Sequence, residues 1–167
     1  MFVPILPVNT PMGLAFFRAA ITETINQERL RDEKNLFRLD ADIDYVSHLL
    51  LHSAFFGFEH RFGIWGGGVI QGSEIEEIAE RIANKAIDDA HAQTIADQLL
   101  LRFGLFPEKI WGVEILRLER CGGELYRKAS RIQTPPATAQ LESMADNFMP
   151  WAGVLHDMQR RERLFLS

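Results

Sequence analysis

Cysteine is nearly absent from this 167-residue sequence: Cys121 stands alone. That excludes an internal disulfide framework and a cysteine-based zinc site. No run of about 18 apolar residues occurs, so no transmembrane helix is expected. The apolar opening, Met1 to Pro11, has no basic flank and is broken by Pro4, Pro7 and Pro11. It does not read as a signal peptide. These absences together place the expected location in the cytoplasm. No serine sits in a nucleophile elbow. The glycines between Gly63 and Gly72 lack the strand, lysine and helix of a phosphate-binding loop. They read as a loop or short hairpin. No internal repeat or low-complexity tract is present.

What is there is ordinary globular material, 47% hydrophobic and 25% charged. The net charge is -5, which argues against nucleic acid when taken alone. Its distribution is uneven. Residues 1–92 hold 8 Lys+Arg against 14 Asp+Glu, giving -6, and residues 93–167 hold 10 against 9, giving +1. Within 117–131, Arg117, Arg120, Arg127, Lys128 and Arg131 face only Glu119 and Glu124, giving +3. Such asymmetry suggests an acidic helical N-terminal region, 1–92, and a second helical region, 93–167.

The apolar spacing is helical nearly throughout, which predicts an all-α multi-helix bundle of five to seven helices. Thr10-Pro11 opens a first helix that carries Leu14, Phe17, Ile21 and Ile25 on one face and runs to about Asp32. A second begins near Asp40 or Asp42, with Ile43, Val46, Leu50 and Ala54 inward. Ser73-Glu-Ile-Glu76 has the form of a capping box. It starts one or two helices reaching Gly104, with a break expected near 88–93. Pro107 is expected to open the next helix, with Ile110, Val113 and Leu116 inward. Gly122-Gly123 is expected to interrupt it before a short helix, 124–131. Thr134-Pro-Pro136 is a rigid loop, and helical pieces near 138–148 and 151–165 close the chain.

Few residues suggest chemistry. Asp44, His48 and His52 recur every four residues, a spacing that would line one helix face and suits a metal, with Asp88 and His91 as further donors. The paired Glu-x-x-His motifs of di-iron bundles are missing, and solvated or half-buried polar side chains are the simpler reading. His156-Asp157 has the form of a metal-phosphohydrolase dipeptide without its context. Cys121 has arginine neighbours but no base in sequence, as an inert thiol would. Trp111 and Trp151 sit in apolar helical contexts and read as core; Trp65 lies in the glycine segment. No catalytic residue, metal or cofactor is expected. A metal-dependent helical enzyme built on Asp44, His48 and His52 is the least favoured reading.

The segment 107–131 carries the expectation that matters most for function: a helix, a glycine-bearing turn and a short basic helix form a helix-turn-helix-like unit, a pattern many helical hairpins share. Such a unit sets its second helix in the DNA major groove, where basic side chains meet phosphates and guanine edges. Arg120, Arg127, Lys128 and Arg131 are the candidate DNA contacts, with Arg117 a weaker one. A helical protein-interaction adaptor whose basic patch is incidental is the alternative.

The C-terminal stretch bears on that choice. Leu125-Tyr-Arg-Lys128, Pro135-Pro136, and Asp146-Asn-Phe-Met-Pro-Trp151 followed by His156 resemble the core of the FlhC-like transcriptional activator subunits of the flagellar master regulator family. The resemblance covers about 93–166. It implies a DNA-binding activator subunit in a hetero-oligomer with an FlhD-like or other regulatory partner, acting by recruiting RNA polymerase. The unmatched acidic first 92 residues point to a divergent relative from a mobile genetic element, with conjugative-transfer genes as targets. The flagellar subunit also carries a cysteine-ligated zinc module after this core. Cys121 alone cannot supply one, so DNA contacts made through that module do not carry over.

Overall fold

A computed structural model describes residues 10–28, 36–56, 70–107, 110–111 and 114–163. Among them are seven α-helices: α1 (Thr10–Glu28), α2 (Leu36–Phe56), α3 (Gly72–Ala83), α4 (Asp89–Leu105), α5 (Ile115–Ser130), α6 (Ala137–Asp146) and α7 (Phe148–Glu162). The all-α bundle expected from the periodicity is the observed architecture. Two short strands accompany it, β1 (Ile70–Gln71) and β2 (Ile110–Trp111). They pair in parallel, with Ile70 opposite Ile110 and Gln71 opposite Trp111. The expected hairpin at 63–72 falls mostly outside the described residues. The pairing at its end is instead with a segment reached through α3 and α4, because parallel partners need a crossover.

α4 is the central helix. Ile95, Ala96, Leu99, Leu100 and Leu101 are all buried, so apolar side chains point in nearly every direction. A helix apolar all round needs neighbours all round. α5 and α7 pack against it extensively. α5 and α3 are narrower cases, each with one buried stripe: Leu118, Cys121, Leu125, Tyr126 and Ala129 on α5, Ile75 and Ile78 on α3. α1 lies against α2 and α7, and α2 reaches α6. The point 92/93 falls inside α4, and helices from both sides of it share one core.

Two helical expectations are corrected. No helix opens at Pro107: α4 stops at Leu105, and the chain passes through β2 before α5 begins at Ile115. Trp111 accordingly lies in a strand, not in a helix. Gly122-Gly123 does not break the next helix either, for α5 runs through both glycines to Ser130. The reason is packing. A Cβ on Gly122 would overlap the ring of Phe148 on α7, so the missing side chain lets that ring rest on the α5 backbone. Each glycine costs roughly 1 kcal/mol of helix propensity relative to alanine. Burial of Phe148, worth about 1.5–3 kcal/mol, offsets this cost.

The break between α3 and α4 lies at residues 84–88, before the expected place. It is closed by a Schellman arrangement: Ala86 N–H donates to Arg81 O at 2.8 Å and Lys85 N–H to Ile82 O at 3.1 Å. Lys85 takes the left-handed conformation that glycine usually fills (φ 54°). With no glycine there, sequence offered no marker for this stop.

Candidate interaction face on α3 and α5

α5 is amphipathic, and its solvent side gathers the basic residues. Arg117, Arg120, Arg127, Lys128 and Arg131 stand at i, i+3, i+10, i+11 and i+14, within about 100° of the helix circumference, an arc that also holds the exposed Glu124 at i+7. Arg117, Arg120, Arg127 and Arg131 are exposed and Lys128 is partly covered. The residues expected for DNA contact therefore share one face, although the turn expected to make 124–131 a separate recognition helix does not exist.

Neighbouring helices answer much of that charge. Arg117 Nη1 lies 2.8 Å from Glu76 Oε1 on α3, Lys128 Nζ 2.8 Å from Asp89 Oδ1 at the start of α4, and Arg127 Nη2 3.1 Å from Asp146 Oδ1 at the end of α6. Arg120 and Arg131 make no ion pair among the described residues. A helix packed by α3, α4, α6 and α7 presents a strip of its surface. A major-groove reader must stand out far enough for its exposed face to enter a groove about 12 Å wide. The four expected basic contacts and the weaker Arg117 thus resolve into three tied side chains and two others.

The strip continues onto α3. Glu76, Glu77 and Glu80 are exposed there while Ile75 and Ile78 face the core. The Arg117–Glu76 bridge joins the solvent faces of the two helices, so an acidic band and a basic band lie side by side. At the start of α5 the surface turns apolar: Ile115 is 55% and Leu116 68% exposed. Leu116, expected to face inward, does not.

The Asp44, His48 and His52 row is on α2, but its members are engaged separately. Asp44 pairs with Arg18 of α1. His48 donates from Nδ1 to the Asp44 main-chain oxygen at 2.7 Å and is exposed, whereas His52 is half-buried. Among the described residues no three His, Cys, Asp or Glu side chains converge as a metal set. Asp88 and His91 meet only loosely, 3.7 Å apart on the surface. His156 is exposed, and Asp157 faces Arg160 at 3.5 Å. Trp151 is buried, while Trp65 lies outside the described residues. The Cys121 thiol is pushed up to about 11, by burial first and the nearby Glu124 second. It is a packing group at neutral pH.

Three polar links went unnoticed in the sequence. Tyr45 (α2) and Tyr126 (α5) both donate to Asp97 Oδ1 on α4, at 2.6 and 2.7 Å, and Gln93 Nε2 donates to Tyr45 Oη at 3.0 Å. Burial, then the Asp97 charge, holds both phenols well above their ordinary range. Buried Asp42 accepts from Gln140 Nε2 and, at 2.7 Å, from Ser143 Oγ, tying α2 to α6. Arg161 on α7 donates to Thr24 Oγ1 at 2.8 Å, Gln27 Oε1 at 2.9 Å and Ala20 O at 3.2 Å on α1. Each partner is far away in sequence, so no local spacing could mark it.

Phe148 and Trp151 are buried, Met149 is half-buried, and Asp146 pairs with Arg127. No helix among the described residues is long and apolar enough to cross a membrane. No protein-family model, curated protein or solved structure matches the chain.

Proposed function

We propose that this chain is a cytoplasmic helical interaction subunit, without chemistry of its own, whose contact face is the exposed surface of α3 and α5. The observation that carries the reading is the Arg117–Glu76 bridge. It places an acidic band and a basic band side by side, with the exposed Leu116 at their edge. Mixed charge around a small apolar patch suits protein contact: the patch loses water and the charges select the partner. The test is a photo-crosslinking residue at position 116 of the full chain in cells, with position 153 on α7 as an exposed control. A discrete adduct from 116 and none from 153 is expected. No adduct, or equal adducts at both positions, overturns the reading.

A second reading keeps DNA. Arg120 and Arg131 share the arc and carry no ion pair among the described residues, which favours phosphate contact by a DNA-binding activator subunit. In this reading the chain works beside an FlhD-like or other regulatory partner, with RNA polymerase as the target and mobile-element genes under control. The Arg127 and Lys128 pairs would have to open before those side chains could touch phosphate. A gel shift in the presence of the regulatory partner tests this. Arg120→Ala with Arg131→Ala should lower the salt slope of binding by about two units, one per phosphate contact. An unchanged slope removes the reading.

A further inference from the structure

The geometry points to a second copy of this chain as the partner of the α3/α5 surface, docked about a two-fold axis running along the seam between the helices. This rests on the interaction reading above and names its partner. The argument is charge complementarity. α3 follows β1 directly and α5 follows β2 closely, and these strands are parallel. Both helices thus start at the same end of the strand pair, and where they run in parallel the Arg117–Glu76 bridge fixes their relative height. A two-fold axis along the seam exchanges left and right but preserves height. It lays the acidic band of one copy on the basic band of the other. An axis across the helices would instead set acid on acid.

Height then selects the pair. Arg120 stands three residues beyond Arg117, about 4.5 Å along α5, and Glu80 four residues beyond Glu76, about 6 Å along α3. Across the axis, Arg120 of each copy meets Glu80 of the other. Both are exposed, and neither has an ion pair among the described residues. Like-on-like contact is isologous, so each charge pair occurs twice. Leu116, lower on the basic band, covers the acidic band's stem. Two helices side by side offer a footprint on the order of 400 Å² per copy, below the roughly 800 Å² of a standard interface. The dimer is therefore weak and salt-sensitive.

Sedimentation equilibrium of the full chain tests this. The expected result is a concentration-dependent dimer of the 19.1 kDa chain that dissociates with added salt. Arg120→Glu and Glu80→Lys should each give a folded monomer by circular dichroism. Their equimolar mixture should associate again, because the two reversed charges face each other across the axis while the native pair remains opposite. A wild-type monomer at up to about 1 mM protein overturns the proposal. So does a dimer that either reversal leaves intact, or a mixture that stays monomeric. The adduct from position 116 separates this failure from that of the interaction reading. An adduct of twice the chain mass supports both, an adduct with a different protein overturns the second copy alone, and no adduct overturns both.

Discussion

The seams around α2, α6, α1 and α7 contrast with the seam between α3 and α5. Both use charged side chains to join helices. At the first, Asp42 is sealed under Gln140 and Ser143, and Arg161 threads between the end of α7 and the carbonyl of Ala20. At the second, Arg117 and Glu76 meet in water, with side chains 48% and 67% exposed. The same chemistry contributes differently because burial removes the competing water. A buried polar group that loses its partner pays its full desolvation cost, while an exposed pair exchanges its partner for solvent. The first seam holds the fold, and the second stays open to solvent.

The largest expected effect is alkaline. Tyr45 and Tyr126 have phenols held well above 10.0, and Cys121 rises from 9.0 to about 11. A raised folded value means the group favours folding fully below its unfolded value. That contribution is lost as pH climbs through the folded one. Thermal unfolding should therefore show no loss from Cys121 below pH 9.0 or from the phenols below 10.0. A steep fall should follow above, and it should be shallower in Tyr126→Phe. An equally steep fall in that variant would assign the alkaline loss elsewhere.

Asp42→Ala comes next. It strands one buried donor, Ser143, and one half-buried donor, Gln140, and should cost roughly 2–4 kcal/mol in urea unfolding, with Asp42→Asn recovering part of that. A cost like that of the exposed seam would erase the contrast. Gly122→Ala sets a gain of about 1 kcal/mol in helix propensity against overpacking of about 1–3 kcal/mol on Phe148. Net destabilisation is expected, and Phe148→Leu in the same chain should relieve it. Arg161→Ala, at a partly exposed site, should cost about 1–2 kcal/mol. Glu76→Ala is the smallest, no more than about 1 kcal/mol of stability. Its cost should fall with salt, which a titration of the unfolding midpoint reads directly.

The sequence by itself determined the helices whose apolar periodicity was long. Phe17, Ile21 and Ile25 gave α1, Ile43, Val46 and Leu50 gave α2, and the starts at Thr10 and near Ser73 were legible to within a residue. It also named the basic residues of α5, but the interruption expected at Gly122-Gly123 set Arg117 and Arg120 on a different helix from Arg127, Lys128 and Arg131, so their common arc appears only in the continuous helix. The contacts of that arc were not legible. Lys128 meets Asp89 and Arg127 meets Asp146 only because α4 and α6 pack on either side of α5. Gly122-Gly123 shows the limit most sharply. Glycine in isolation weakens a helix, and the pair reads as a turn. Only the ring of Phe148, 26 positions later and brought back by α7, makes a continuous glycine-bearing helix the better-packed state. Local propensity is a matter of about 1 kcal/mol per residue, and a buried aromatic side chain outweighs it. Tertiary packing therefore decided where α5 runs and which of its charges are tied by neighbouring helices.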